Sequence, residues 1–160
     1  MNNSKNSKIR HINLIRDRTA GFFKTQGRRP RILITRIGST SSEREVKIKA
    51  SAFAELGFDV DINTSVQSSI DVARLALEND VHVVGIPGIT VGNQRLLSKL
   101  LAALKTEDGK KIFLAIWTPR KPVGPVKISK VKTGSIIIFK FDTESTDCAN
   151  RILDILEQQL

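Results

Sequence analysis

A short hydrophobic run that stops at a glycine is the feature that most constrains this fold. Ile32, Leu33, Ile34 and Ile37 form an apolar segment, Gly38 permits a tight turn, and serines and acidic residues follow in the pattern of a helix start. The run therefore predicts the first strand, loop and helix of an α/β domain. In open α/β sheets ligands bind at such loops, so this loop is the first candidate site.

The same alternation of a short hydrophobic run with a helical pattern recurs along the chain. It predicts five strands, at residues 31–37, 58–62, 81–86, 111–116 and 135–139. The run from Val81 to Ile86 is β-branched and nearly continuous, which is typical of a central strand covered on both faces. We therefore predict an α/β flavodoxin-like three-layer sandwich, with a five-stranded parallel sheet in the order 2-1-3-4-5.

Two segments at the ends of this pattern set the predicted domain organisation. Residues 1–29 are predicted to be a basic, partly disordered N-terminal extension, and residues 30–160 the α/β domain. Residues 1–8 lack apolar side chains after Met1 and are expected to be disordered. A short amphipathic helix is expected next as a docking element, with one apolar side formed by Ile9, Ile12, Leu14, Ile15, Phe22 and Phe23.

The net charge of +10 is unevenly placed. Residues 1–31 hold nine Lys or Arg against one Asp, and residues 119–133 hold five against no acid, whereas the rest of the chain is slightly acidic. Such basic segments suit an acidic protein surface, or RNA through counterion release, although no RNA-binding motif is present. We therefore predict a protein partner and rank nucleic acid last.

The composition of the chain limits the cellular compartments in which the protein is expected. No apolar run reaches the ~18 residues that a membrane span needs. The single cysteine, Cys148, cannot form an internal disulfide and is predicted to fill a small space in the core. These features favour a reducing compartment, so we predict a cytoplasmic protein, or one of the mitochondrial matrix if the source is eukaryotic.

Three long runs carry a resemblance to a known family: GRRPRIL at 27–33, AFAELGFDVDI at 52–62 and ENDVHVVG at 78–85. With the last strand and helix, these runs resemble the C-terminal cobalamin-binding domain of methylmalonyl-CoA mutase over roughly residues 27–158. The resemblance implies the flavodoxin-like fold predicted above. It also implies cobalamin as the ligand to be tested against the residues of this chain.

The first loop departs from that family's pattern. The family carries Asp-x-His-x-x-Gly there, and its histidine binds cobalt while the aspartate orients the imidazole. The matching positions here are Thr40, Ser42 and Glu45, so the imidazole donor is lost. Ser42 with Glu45 instead fits a capping box that starts the helix. A phosphate cradle is the alternative for this loop, but Glu43 and Glu45 would repel a phosphate.

The remaining loops at this edge have also changed. Pro87 and Ile89 stand where the family has Ser-x-Leu, and Trp117 and Thr118 replace a Gly-Gly pair that makes room for the cofactor's nucleotide tail. A tryptophan would occupy that space. Of the family's last Gly-Pro-Gly-Thr, only Thr143 is kept. We define the vestigial cleft as the positions predicted to line this edge: Gly38, Thr40, Ser42, Glu45, Pro87, Ile89, Gly92, Trp117, Thr118 and Thr143.

Neither histidine offers an obvious replacement for the lost ligand. His82 is predicted near the start of the third strand, at the opposite end of the sheet, and His11 lies in the N-terminal extension, where it is a weak candidate. No metal cluster, paired carboxylates or nucleophile with a base is visible. We therefore predict no catalytic residue, no metal and no confident cofactor-binding residue.

Three functions remain open at this stage. The leading prediction is a non-catalytic, degenerate homologue of the mutase domain that binds a protein, for instance a mutase catalytic chain that it serves as a small subunit of a mutase-like acyl-CoA enzyme. The alternative is a cobalamin-binding or carrier protein that uses a different binding mode. The third is RNA binding through the basic extension and the 119–133 loop, for which few aromatic side chains are available.

Overall fold

The fold comes from a computed structural model that describes residues 2–38, 42–106, 108–121 and 136–160. The helices are α1 (Asn2–Gln26), α2 (Glu43–Glu55), α3 (Ser69–Glu78), α4 (Gln94–Ala103) and α5 (Ser145–Gln158), with a 3₁₀ turn at Val91–Asn93. The strands are β1 (Arg31–Thr35), β2 (Asp59–Asn63), β3 (Val83–Ile86), β4 (Phe113–Trp117) and β5 (Ile136–Phe139).

The five strands form one parallel sheet in the order β2-β1-β3-β4-β5. Ile32 of β1 pairs with Val60 on one side and Val83 on the other, and β3 is the central strand. The predicted fold class and strand order are therefore confirmed. Position 135 and most of the basic 119–133 loop lie outside the described residues, so the predictions made for them are not taken further.

Helices cover the sheet on both faces. Alternate residues of β1 point to opposite sides: Ile32 and Ile34 join a buried cluster with α1, α2 and α5, whereas Leu33 joins a second cluster with α3 and α4. This alternation follows from the pleat of a strand. It produces the predicted three layers, with helices on either side of the sheet.

Local sequence signals place the helix ends where they were predicted. The hydroxyl oxygens of Ser42 and Ser68 accept hydrogen bonds from the backbone N–H groups of Glu45 and Asp71, so both serines cap their helices. Helix α2 ends just before Gly57, whose φ of +92° is a left-handed conformation. A side chain at Gly57 would also collide with Thr19 of α1.

Helix α1 differs from its prediction. The expected disorder over residues 1–8 is wrong for residues 2–8, which are helical and exposed. The sequence from Asn2 to Lys8 contains no proline or glycine, so a helix anchored further along the chain can extend through it. The expected apolar side is only partly right: Ile15 and Phe22 are buried, whereas Ile9, Leu14 and Phe23 are about half exposed. No helix in the described part of the chain is long and apolar enough to cross a membrane.

Polar contacts fix α1 against the domain. Arg18 donates to Asn150 Oδ1 at 2.8 Å and to Asp154 Oδ1 at 2.9 Å on α5. The buried Thr19 hydroxyl donates to the carbonyl of Leu56 at 3.1 Å, at the end of α2. Helix α1 therefore belongs to the same packed body as the sheet. The division at residue 30 stays a prediction about domain boundaries.

Replacing Phe22 by alanine tests this docking. Phe22 is 5% exposed and Phe23 is 49% exposed. We expect Phe22→Ala to lower the free energy of unfolding by about 3–5 kcal/mol, because it leaves a cavity under α1. The matched control Phe23→Ala should cost about 1 kcal/mol or less. Urea unfolding followed by circular dichroism measures both, and equal losses would contradict the docking of α1 into the core.

Candidate functional site

The carboxyl ends of the parallel strands bring the loops of the vestigial cleft to one edge of the sheet. The loops after β1, β3, β4 and β5 all emerge there, as the strand directions require. Two of these loops are joined directly, because the N–H of Ile89 donates to the carbonyl of Trp117 at 2.9 Å. The loops that the sequence predicted to share one edge of the sheet therefore do so.

The loop after β1 is shaped by its glycine and its helix cap. Gly38 has a φ of +55°, and its N–H donates to the carbonyl of Gln67 at 2.9 Å. The Ser42 hydroxyl accepts from the N–H of Glu45 at 3.2 Å, which confirms the capping role of the serine. The return contact from the Glu45 carboxylate, the other half of a capping box, stays a prediction. Thr40 lies outside the described residues.

The loop after β3 is closed by its own contacts. Pro87 and Ile89 are buried, and Ile89 belongs to the cluster formed with α3 and α4. The Oδ1 of Asn93 accepts a hydrogen bond from the backbone N–H of Thr90 at 2.8 Å and another from the Thr90 hydroxyl at 3.0 Å. Gly92 lies in the exposed 3₁₀ turn. Thr90 and Asn93 are therefore paired with each other within this loop.

The loops after β4 and β5 hold each other. The N–H of Thr118 donates to the carbonyl of Phe139 at 2.9 Å, and the Thr118 hydroxyl accepts from the N–H of Phe141 at 3.2 Å. Thr143 is half-buried, and its carbonyl lies 4.0 Å from the Cys148 sulfur. Thr118 and Thr143 thus take part in the packing of these loops.

Trp117 fills the space beneath this edge. Its side chain is 1% exposed, and its ring lies 6.0 Å from that of Phe53 on α2 and 5.4 Å from that of Phe139 on β5. Gly85 on β3 makes room for the indole, since a Cβ there would lie 3.2 Å from the Trp117 ring. The prediction that a tryptophan would occupy this space agrees with this packing.

A group of cations surrounds these aromatic rings. The Lys49 amine lies 5.0 Å from the centre of the Trp117 ring and 5.8 Å from that of Phe141. Arg120 lies 5.5 Å from the Phe141 centroid, and Arg151 lies 5.1 Å from that of Phe139. Lys49 was not among the residues predicted from the sequence to lie at this edge. Its position one helical turn after Glu45, on the buried side of α2, could have indicated it.

Cys148 is a buried thiol within the same packing. Burial raises the pKa of Cys148 to about 11, so the thiol is neutral at physiological pH. The Trp117 indole N–H has no hydrogen-bond partner among the described residues. It lies close to the Cys148 sulfur, and this proximity partly opposes the rise in the pKa of Cys148. The predicted role of Cys148 as a small core residue agrees with this environment.

His82 lies at the opposite edge of the sheet, as predicted. It directly precedes β3, and its Nδ1 accepts from the N–H of Arg31 at 2.9 Å, at the start of β1. Burial, aided by the nearby Arg28, lowers the pKa of His82 to about 4. The Nδ1 lone pair of His82 therefore accepts a hydrogen bond at the amino edge of the sheet, which holds the side chain there. His11 is exposed on α1, not in a disordered tail.

A shallow groove lies between α1, α2 and the start of α5 and has a volume of about 480 Å³. Polar and charged side chains line it, including Lys8, His11, Glu55 and Asp147. None of the cleft residues that the structure describes lines this groove.

The described residues do not fit the family's histidine-bound cobalamin. Ser42 is engaged as a helix cap, Trp117 fills the space predicted for the nucleotide tail, and His82 lies at the other edge. In the described part of the chain, no group of three or more His, Cys, Asp or Glu side chains could hold a metal ion. This edge therefore shows packing contacts where the family pattern requires donors.

Truncating Trp117 tests its part in this packing. We expect Trp117→Ala to lower the free energy of unfolding by about 3–5 kcal/mol, because it empties a large buried volume. Trp117→Phe, the matched control, should cost only about 1.5 kcal/mol, since an aromatic ring still fills most of the space. Urea unfolding monitored by circular dichroism compares them. A Trp117→Ala variant as stable as the wild type would mean that the space is not closed by the indole.

The depressed pKa of His82 predicts a pH dependence of stability. The folded-state pKa of about 4 lies below the ordinary value of 6.5, so on acidification the unfolded chain takes up the proton first. Stability present above pH 6.5 should therefore fall as the pH approaches 4. His82→Asn retains an acceptor for Arg31 but cannot titrate in this range. Its unfolding free energy should depend less on pH across this window, and equal slopes would argue against the assignment.

This chain is similar in sequence to known proteins. No protein-family model matches the chain. The chain is 35% identical over 139 residues to methylmalonyl-CoA mutase of Cereibacter sphaeroides, covering 86% of this chain and 19% of the relative. It is 41% identical over 139 residues to the methylmalonyl-CoA mutase large subunit of Streptomyces virginiae, covering 87% and 19%. With the Escherichia coli mutase it shares 46% identity over 87 residues, 54% of this chain and 12% of the relative. The chain is therefore a homologue of methylmalonyl-CoA mutases, and it spans about a fifth of the length of the curated relatives it matches.

Proposed function

We propose that this chain is a non-catalytic homologue of the mutase's cobalamin-binding domain that works by binding another protein. The partner would be a mutase-like catalytic chain that acts on acyl-CoA, and this chain would serve it as a small subunit. The observation that carries the proposal is the burial of Trp117 at the edge where the resembled family holds its cofactor.

The loop after β1 supports the same reading. A serine hydroxyl is a poor ligand for a soft transition metal, and the Ser42 hydroxyl already accepts a hydrogen bond that starts α2. Substituting an imidazole there would remove this cap. We infer that the chain does not bind cobalamin through a histidine in this loop.

The absence of a visible catalytic set supports a non-catalytic role. The two strongly perturbed groups with a stated pKa, His82 and Cys148, are each explained by burial in packing contacts. They lie on different elements: His82 accepts from the N–H of Arg31, and Cys148 lies in the core near Trp117 and Lys49. The reaction of the mutase-like enzyme would therefore be carried out by the partner chain.

Cobalamin binding in a different mode and RNA binding are weaker alternatives. A cobalamin carrier would need space beside Trp117, and the buried indole counts against that space. RNA binding would use the basic segments, but a chain with one Trp and no Tyr offers little surface for base stacking. Neither alternative gains a specific supporting contact.

A cobalamin titration tests the cofactor half of the proposal. Isothermal titration with hydroxocobalamin and with adenosylcobalamin should give no binding at micromolar concentrations. The comparison is the triple variant T40D/S42H/E45G, which supplies an imidazole but keeps the buried Trp117, so it should also leave the visible absorption spectrum of hydroxocobalamin unchanged. Micromolar or tighter binding by the wild-type chain would overturn this half.

Co-purification tests the partner half separately. The intact chain, expressed with the mutase-like catalytic chain of its own source organism, should copurify with that chain. Removing residues 1–29 is the comparison, since the family has its linker to the catalytic part in that position. Failure of both forms to retain the catalytic chain would contradict the proposed role as a subunit, whatever the result with cobalamin.

A further inference from the structure

The side of α1 that points away from the sheet is exposed, yet it carries large aliphatic side chains. The buried residues of α1 are Ile15, Thr19 and Phe22, whereas Ile9 and Leu14 are 55% and 54% exposed. Half-exposed aliphatic side chains grouped on one helix face favour contact with another protein. Six neighbouring side chains form this surface, which we call the outer face of α1: Asn6, Ile9, Arg10, Asn13, Leu14 and Asp17.

The outer face carries one charge of each sign. Arg10 and Asp17 are seven residues apart, so they lie about two turns from each other on the same side of the helix. Both are exposed, and within the described residues neither forms an ion pair. The midpoint between them falls between Asn13 and Leu14. The face therefore has a positive end and a negative end, placed evenly about an uncharged centre.

Three of the other cations of α1 are directed away from this face. Arg16 donates to the carbonyl of Glu55 at 2.7 Å, and Arg18 donates to Asp154 Oδ1 at 2.9 Å, so both are held against the domain. Lys8 lines the groove between α1, α2 and α5. The repulsion between two outer faces is therefore smaller than the net charge of the N-terminal extension alone would suggest.

We propose that the outer face of α1 binds the same face of a second copy of this chain, with the two helices antiparallel. A two-fold axis between Asn13 and Leu14 places Arg10 of each copy against Asp17 of the other, so two ion pairs form. The opposing helix also covers Ile9 and Leu14. A parallel arrangement would place like charges against each other, which disfavours it.

The contact is short, so the dimer is expected to be weak. Antiparallel pairing about this axis runs from Asn6 to Gly21, which is about 22 Å of helix. Gly21 has open space where a side chain would lie, so it leaves room for Asn6 of the second copy. One helix pair covers less than the ~800 Å² per partner of a standard stable interface, so we expect a Kd on the order of 10–100 μM.

Sedimentation velocity of the full wild-type chain measures this association. Between about 5 and about 500 μM the average mass should rise from that of a monomer towards that of a dimer. L14D should weaken the dimer at least about tenfold, since it places a charge in the contact. The matched control is I48D, because Ile48 on α2 is 56% exposed and lies outside the outer face. This control should associate like the wild type.

Two results of this experiment would overturn the proposal. One is a wild-type chain that stays monomeric over the whole range, as expected if the outer face binds only the proposed catalytic chain. The other is an equal loss of association in L14D and I48D. The measurement needs neither the catalytic chain nor cobalamin, so its failure is distinguishable from failure of the proposed function.

Charge reversal tests the two ion pairs and the antiparallel arrangement. R10D and D17R each turn two attractions into two repulsions, so each should weaken the dimer at least about fivefold. R44D makes the same charge change as R10D at an exposed position of α2 and should have little effect. Circular dichroism checks that all three variants keep the fold.

Mixing R10D with D17R supplies the decisive comparison. In an antiparallel pair each negative position of one variant meets a positive position of the other, so the mixture should form a heterodimer about as tightly as the wild-type chain forms its dimer. A mixture that associates no better than the two separate variants would overturn the proposed arrangement. This comparison does not depend on how strongly either variant alone is weakened.

Discussion

The requirement to bury both faces of a parallel sheet organises this molecule. Ile32 and Ile34 point to one face and Leu33 to the other, so neither face of β1 can be left to solvent. Helices α3 and α4 cover one face, and α2 and α5 cover the other together with α1. The buried contacts of Ile15 and Phe22 show that α1 is part of this cover.

The packing at the carboxyl edge depends on a glycine beside large side chains. A Cβ at Gly85 would lie 2.7 Å from Ile34 Cδ1 and 3.2 Å from the Trp117 ring, so the glycine leaves room for both. The indole then contacts Phe53 and Phe139, which ties α2 and β5 to the centre of the sheet. A residue that stands at a predicted cofactor position therefore contributes to the stability of the fold.

The elements that sequence predicted well are those determined by local patterns. The run from Val81 to Ile86 predicted the central strand, and Ser42 with Glu45 predicted the start of α2, because strand burial and helix capping depend on near neighbours. Trp117 was predicted to follow a strand at 111–116, and the structure has it as the last residue of β4. These features need no knowledge of distant contacts.

What sequence could not predict depends on tertiary contacts. The helicity of residues 2–8 follows from the anchoring of α1 by Arg18 and Thr19, whose partners lie far away in sequence on α5 and α2. The aromatic surroundings of Lys49 come from β4 and the loop after β5, more than sixty residues later. Periodicity within one helix cannot reveal such partners.

At this edge of the sheet, residues at positions that would serve a ligand hold the scaffold instead. Ser42 illustrates it: a helix start needs only a side-chain oxygen at this position, a requirement worth about 1 kcal/mol, and serine meets it without a metal. Trp117 goes further, because it uses the space of a proposed former ligand for packing. Within the described residues, the surfaces open to a partner include the exposed part of α1 and the cations around Trp117. The question of function for this chain is therefore which molecule those surfaces contact.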